Sequence, residues 1–275
     1  MYHLKFNFFH IGDQIATTAI PENIHNVTGE KCIISDERIW TFKHNPYVVF
    51  MKEDEANKHP TISLIPDCRI QEQVKQYVDT MRVPVTNGQT EYMCIQLGFN
   101  NVHLRHSRLY IHEDEPVQPN RIVVHTTGSD RRRDGEIAIR TTSGEDDVRV
   151  MSDDVLESIT KNYSNYEIIQ VGGDNDKPVG GNSTNLCGKL DYWEVAKLIA
   201  GSAKFIGVNS GPMHIANCYP RVEKRIVLQE FPINTLLSFR PGDVRNWLFS
   251  WIDPTCTFFN KFEHDVGYTY SHKKI

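Results

Sequence analysis

"FIGVNSGPMHIANC", residues 205–218, contains the turn on which the reading of this chain depends. An apolar run from Phe205 to Val208 gives way to Asn209-Ser210-Gly211-Pro212, and Met213-His214-Ile215-Ala216 then resumes with helical spacing. The pattern predicts a buried strand, a tight turn and a helix. Pro212 suits a first helical turn because it has no N–H to leave unpaired, and Gly211 lets another group approach the backbone closely. A helix opening exposes N–H groups that favour an anion, and the Ser210 hydroxyl can donate to a phosphate oxygen. The same four residues also make an ordinary strand-to-helix connection with Asn209 or Ser210 as cap, so the turn acquires meaning from what surrounds it.

Upstream, the same rhythm repeats. "RIVVHTTG" (121–128) reads as a strand entering a Thr-Gly turn, "MSDDVLESITKNY" (151–163) as a helix capped by Ser152 or Asp153, and "YEIIQVGG" (166–173) as a buried strand. "DYWEVAKLIAGSA" (191–203) reads as a helix with Asp191 as its cap, and "KRIVLQE" (224–230) as a closing strand. Alternating strands and helices imply βαβ units and a parallel sheet. In such a sheet ligands sit beyond the carboxyl ends of the strands, so three turns converge there. They are Thr126-Thr127-Gly128, Gly172-Gly173-Asp174 and the Asn209–Pro212 turn, with Arg131 able to add a positive charge.

The N-terminal part has the same character less clearly. "YHLKFNFF" reads as a strand, Ile15–Ala19 as a helix, and "EKCIIS" (30–35), "YVVFM" (47–51) and "TISLI" (61–65) as short strands. Helices are expected over 70–81 and 90–99. The polar, proline-containing "HEDEPVQPNR" (112–121) has the composition of a linker, which divides the chain into 1–115 and 116–275. The charged stretch 129–150 is expected to be a loop or small hairpin.

Composition bounds the function. With 275 residues, 39% hydrophobic and 24% charged, the chain can bury a core or two. A net charge of −5 leaves no basic footprint for nucleic acid. No apolar run approaches the roughly 18 residues that span a bilayer, and "MYHLKFNFFHIGDQ" lacks the features of a signal peptide. Six scattered cysteines, with no CxxC pair and no zinc spacing, read as reduced thiols of a cytoplasmic protein.

The order of these motifs resembles glycosyltransferase family 9, the heptosyltransferase type. "GGDNDKPVGGNSTNLCGKLDYWEVAKLIAGSAKFIGVNSGPMHIANCYP" is similar to the family's nucleotide-binding half: a Gly-rich turn, Asn185-Leu186-Cys187-Gly188, a helix over 192–203, and the Asn209–His214 turn. "GDQIATTAIP" (12–21) resembles the family's start, "HTTGSDRRR" its Thr-Thr phosphate segment, and "FRPGD" (239–243) a looser Arg-Pro motif.

The resemblance implies an α/β, GT-B architecture of two Rossmann-like domains facing a central cleft: an acceptor-side domain over 1–115 and a nucleotide-sugar-binding domain over 116–275. It implies an inverting, metal-independent transferase, with no cofactor, that moves heptose or a related sugar from an ADP-type donor. The acceptor would be a glycan, lipid-linked or otherwise, in bacterial surface polysaccharide synthesis, a setting compatible with peripheral membrane contact. Carried over by residue, Asp13 is the base and Arg131 a phosphate-neutralising partner. Thr126, Thr127, Asn209, Ser210, Gly211, Pro212, Met213 and His214 hold the donor diphosphate and sugar, and Gly173, Asp176 and Leu190 hold the nucleoside. Each has a plainer reading: Asp13 as a helix cap, Asp176 as a loop residue, His214 as a packed side chain. Asn209 stands where many members carry Asp, which bears on the donor sugar. Two other readings compete: a non-catalytic nucleotide-sugar-binding subunit of the same fold, and an unrelated α/β enzyme. A nicotinamide-binding domain is disfavoured because no Gly-x-Gly-x-x-Gly follows the first strand.

Overall fold

A computed structural model describes residues 1–7, 11–64, 107–128, 150–208, 210–228 and 257–260. These fall into two compact units, one running to Ile111 and one beginning at His112.

The first unit carries a four-stranded sheet. Its strands are β1 (Tyr2–Phe6), β2 (Cys32–Ile34), β3 (Val48–Phe50) and β4 (Thr61–Leu64), in the order β3-β2-β1-β4 and all parallel. Parallel pairs need crossovers. Between β1 and β2 the crossover is α1 (Ile11–Ala16) and α2 (Ile20–Thr28). The sequence reading placed a helix over Ile15–Ala19, and the structure corrects it: one helix ends at Ala16 and another starts at Ile20. Pro21 sits in the first turn of α2, a position that needs no N–H donor, so the proline opens a helix instead of ending one. Gly29 closes α2 at φ 73°, and its N–H bonds back to the His25 carbonyl. Ile20 and Ile24 of α2 pack on Leu4, Cys32, Ile62 and Leu64 of the sheet. A short 3-10 turn (Trp40–Phe42) precedes β3, and α3 (Glu53–Ala56) precedes β4. The helices expected over 70–81 and 90–99 lie outside the described residues.

The second unit carries a six-stranded parallel sheet: β5 (Gln118–His125), β6 (Glu167–Gln170), β7 (Thr184–Asn185), β8 (Ser202–Val208), β9 (Glu223–Leu228) and β10 (Thr257–Asn260). Its helices are α4 (Asp153–Asn162), α5 (Tyr192–Ala200) and α6 (Gly211–Asn217). The spatial order is β10-β9-β8-β5-β6-β7. Counted from β5, that is 3-2-1-4-5-6 read from the far edge, the order of a dinucleotide-binding sheet. The chain therefore reverses direction across the sheet between β5 and β8, and a crevice opens at their carboxyl ends.

Two differences from the sequence reading stand out here. β5 begins at Gln118, inside the expected linker, because a register irregularity between Gln118 and Ile122 lets Pro119 sit in a strand without breaking the ladder. β7 and β10 had no periodic signal; β7 is only two residues long. The cap at Asp191 is as expected. Its side chain accepts the Glu194 N–H at 2.8 Å, and Glu194 returns a bond from the Asp191 N–H at 2.7 Å. Ser152 caps α4 by position, without a side-chain bond to the helix backbone. Ile122, Val124, Leu156, Ile159, Ile168, Ile206 and Val208 form one core between this sheet and α4.

Candidate functional site

β5 ends at His125, β6 at Gln170 and β8 at Val208, so the segments following them meet at one edge of the sheet. The loop after β6 is held there by buried side chains. Gln170, fully buried, donates to the Lys177 carbonyl at 2.9 Å and accepts the Val179 N–H at 2.8 Å. Thr126 donates to the same Lys177 carbonyl at 2.6 Å, and Thr127 accepts the Lys177 N–H at 3.0 Å. The Lys177 ammonium reaches the Met151 carbonyl and the Asp153 carboxylate, both at 2.9 Å.

Across the crevice lies a linear chain of polar groups. The Ser210 hydroxyl is 2.8 Å from His125 Nδ1 and 3.1 Å from the Val208 carbonyl. On the other side of the ring, His125 Nε2 lies 3.3 Å from Asp176 Oδ2, both side chains only 5% exposed. The same carboxylate oxygen accepts the Gly173 N–H at 3.1 Å. Gly172 is required for this packing. Its φ is 146°, and a β-carbon there would fall 1.9 Å from Asp176 Oδ2.

The site residues named from sequence fall into distinct places. Thr126 is fully buried and its proton is committed to the loop backbone, so it supports the site instead of donating to a phosphate. Thr127 is half-buried. With the Lys177 N–H on its oxygen, it keeps a hydroxyl proton for a ligand, apart from a long 3.3 Å contact with Thr126. Ser210 caps α6 by position, yet its hydroxyl is turned to His125 and not to the helix backbone. Gly211 and Pro212 open the helix as expected. The side chains of Met213 and His214, named with the donor-binding residues, are buried. Burial pushes the His214 imidazole down to about 3, so it is neutral and offers a phosphate no charge. Their N–H groups bond back to the Ser210 carbonyl at 3.1 and 3.3 Å. Among the described residues, the backbone donor remaining at the opening of this seven-residue helix is that of Gly211.

Asp176, expected to hold ribose hydroxyls, lies against His125 and accepts the Gly173 N–H. Gly173 and Leu190 remain half-buried along the same edge. Asp13 lies in the first turn of α1 in the other unit, half-buried, inside the helix and not at its cap. Arg131 and Asn209 lie outside the described residues. Sequence reasoning passed over His125. The only sign was a polar residue ending an otherwise apolar strand, immediately before the two threonines. Among the described residues, no group of three His, Cys, Asp or Glu side chains could hold a metal.

The strand order and the turns at the switch point define an α/β protein of the dinucleotide-fold type. Comparison with known proteins shows what it is similar to. Residues 172–222, the loop after β6 through α6, match the profile of glycosyltransferase family 9 (heptosyltransferase). No curated protein sequence matches the chain. Among solved structures, the glycosyl transferase family 9 protein of Veillonella parvula superposes with a TM-score of 0.58 at 13% identity, over 94% of this chain and 85% of that one. The E. coli ADP-heptose lipopolysaccharide heptosyltransferase II gives 0.55 at 9% identity, over 94% and 90%. An E. coli heptosyltransferase solved with ADP gives 0.50 at 13%, over 82% and 87%. The structural likeness is one of fold, the GT-B fold of the heptosyltransferases, and the profile match covers the 172–222 segment, which is similar to glycosyltransferase family 9.

Proposed function

We propose that the protein is an inverting, metal-independent transferase that moves a heptose or related sugar from an ADP-type nucleotide sugar to a glycan acceptor. On this reading it acts in the cytoplasm, in bacterial surface polysaccharide synthesis. The observation that carries it is the family segment itself. It folds into the loop and turn that bring Gly173, Thr127, Ser210 and the Gly211 N–H to one end of one parallel sheet, at its switch point.

In the proposed reaction the acceptor hydroxyl attacks C1 of the donor sugar as the bond from C1 to the diphosphate breaks. Asp13 takes the acceptor proton. The departing diphosphate gains charge, and fixed donors stabilise it: the hydroxyls of Thr127 and Ser210, the Gly211 N–H, and the Arg131 guanidinium. Arg adds a two-pronged contact that a lysine cannot make. Asn209 would bear on the donor sugar, keeping an acceptor for a sugar hydroxyl while lacking the charge of Asp.

The test is a thermal-shift screen of nucleotides and nucleotide sugars, run with and without excess chelator. A true donor present at 100 times its dissociation constant adds about 2.7 kcal/mol of stability. Stabilisation by ADP-linked compounds that survives chelation is expected. No response to any nucleotide would overturn the reading, and turnover that strictly requires added metal would overturn its metal-independent form.

A further inference from the structure

We propose that Ser210, His125 and Asp176 form a proton relay that places a proton on His125 when a phosphate oxygen accepts the Ser210 hydroxyl. The inference rests on reading the Ser210 turn as the diphosphate seat.

The logic follows from counting donors and acceptors. An ionised carboxylate only accepts, so Asp176 beside Nε2 selects the tautomer with its proton there. A neutral imidazole has one N–H. Nδ1 therefore carries a lone pair, and it accepts the Ser210 hydroxyl at 2.8 Å. That arrangement is complete without a ligand. A phosphate oxygen, however, also has only lone pairs, and Ser210 must turn its single proton toward it, away from both Nδ1 and the Val208 carbonyl. Two lone pairs would then face each other at 2.8 Å beside a ring that is only 5% exposed. Unpaired acceptors in such a place are costly.

Protonation of Nδ1 from solvent removes the conflict. The imidazolium donates one N–H to Ser210 and the other to Asp176. Its charge lies between the carboxylate and the incoming anion. Ser210 keeps its own proton, no covalent bond other than N–H forms, and the proton leaves again with the ligand.

The charged and titratable groups around the ring fit this picture. Among the described residues, Asp176 is the charged group that touches it. On the same loop, Asp174 sits beside Gly188, and the Lys177 ammonium is on Met151 and Asp153. Cys187 also lies there, its thiol pushed up to about 11 by burial, and so stays neutral. On α6, burial keeps His214 neutral. On β8 and β9, Lys204 and Arg225 both pair with Glu223, and Lys224 lies on β9, the strand beyond β8. On β5 and β6, Arg121 and Glu167 pair with each other at 2.8 Å.

The experiment is calorimetric titration of the full chain with ADP, with UDP and GDP in parallel, at pH 8 in buffers of different ionisation heat. The wild-type protein is expected to take up close to one more proton per ADP bound than His125→Asn does. Its affinity should fall with rising pH, by up to about tenfold per unit over the range in which binding takes up one extra proton. His125→Asn offers an amide near the Nδ1 position that can hold Ser210 without titrating. It should bind ADP with affinity that is flat across that window. Ser210→Ala, at a half-buried turn, carries the test should His125→Asn fail to fold, and should lose the extra proton as well. ADP binding with equal uptake in the wild type and the variants overturns the relay alone. A wild-type chain that binds none of the three nucleotides overturns the glycosyltransferase reading and the relay with it.

Discussion

Both units place a parallel sheet with the same local strand order beneath a set of hydroxyl and amide side chains, yet they use those side chains differently. In the second unit, Gln170, Thr126, Asp176 and His125 are buried supports for a crevice edge, and half-buried Thr127 and Ser210 are held against them. In the first unit the polar groups after β1 hold the frame itself. Thr17 and Thr18 donate to carbonyls three residues back, and Gln14 accepts from Thr41 at 3.0 Å and donates to the Arg38 carbonyl. Thr18 also accepts the Arg108 N–H at 3.0 Å. The "GDQIATT" motif therefore contributes one chemically placed residue, half-buried Asp13, on a short helix braced by its neighbours. One unit gathers hydroxyls and glycine turns at the end of its sheet; the other places Asp13 on a braced helix.

The largest way to separate the two is Asp13→Asn. It should lower kcat for donor transfer by about 100-fold or more while leaving ADP affinity and thermal stability unchanged. Steady-state kinetics beside calorimetry would check this, and undiminished turnover would remove Asp13 from the base role. Next is Gln170→Leu, which strands the Val179 N–H and removes one of the two donors to the Lys177 carbonyl in the second unit. A loss of about 2–3 kcal/mol in denaturant unfolding is expected, with ADP affinity falling as the loop loosens. A loss confined to stability would show that the loop's brace and the ligand seat are independent.

Burial lowers the imidazole pKa of both His3 in the first unit and His214 in the second, and acid sensitivity should be larger in the second, where the shift is large. His214 titrates near 3 when folded and near 6.5 when unfolded, so the unfolded chain binds more protons between those values. Its contribution is complete above pH 6.5 and is lost as pH falls toward 3, which amounts to about 2 kcal/mol by pH 5. Urea melts at pH 7.5 and 5 should show this, and His214→Phe should flatten it. The smallest expected effect is Asp191→Ala. Removing one half of the capping box on α5 should cost about 1 kcal/mol and leave nucleotide binding intact; a change in binding would mean that α5 reaches the site.

Much of this was legible in residues alone. Apolar runs ending in glycine turns marked β5, β6 and β8, Asp191 marked a cap, and the ordered motifs from Gly172 to His214 carried the family. The misreadings have physical causes. The helix expected over Ile15–Ala19 divides because α1 ends at Ala16 and a second helix opens at Ile20, with Pro21 in its first turn. β7 is two residues long and pairs through its backbone, so it leaves no side-chain period. That the Met213 and His214 side chains are buried follows from how α6 packs, which the motif does not specify.

What the sequence determined by itself was the list of elements and the chemistry at their ends, because hydrophobic period, caps and turn residues are local properties. What only the tertiary structure decided was which of those ends meet. Ser210 and His125 are 85 positions apart and touch because β8 pairs directly with β5. Asp176 reaches the same imidazole because β6 flanks β5 on the other side and Gly172 leaves room for its carboxylate. Strand order is set by packing across the whole sheet, so no local pattern in the chain could have announced that chain of contacts.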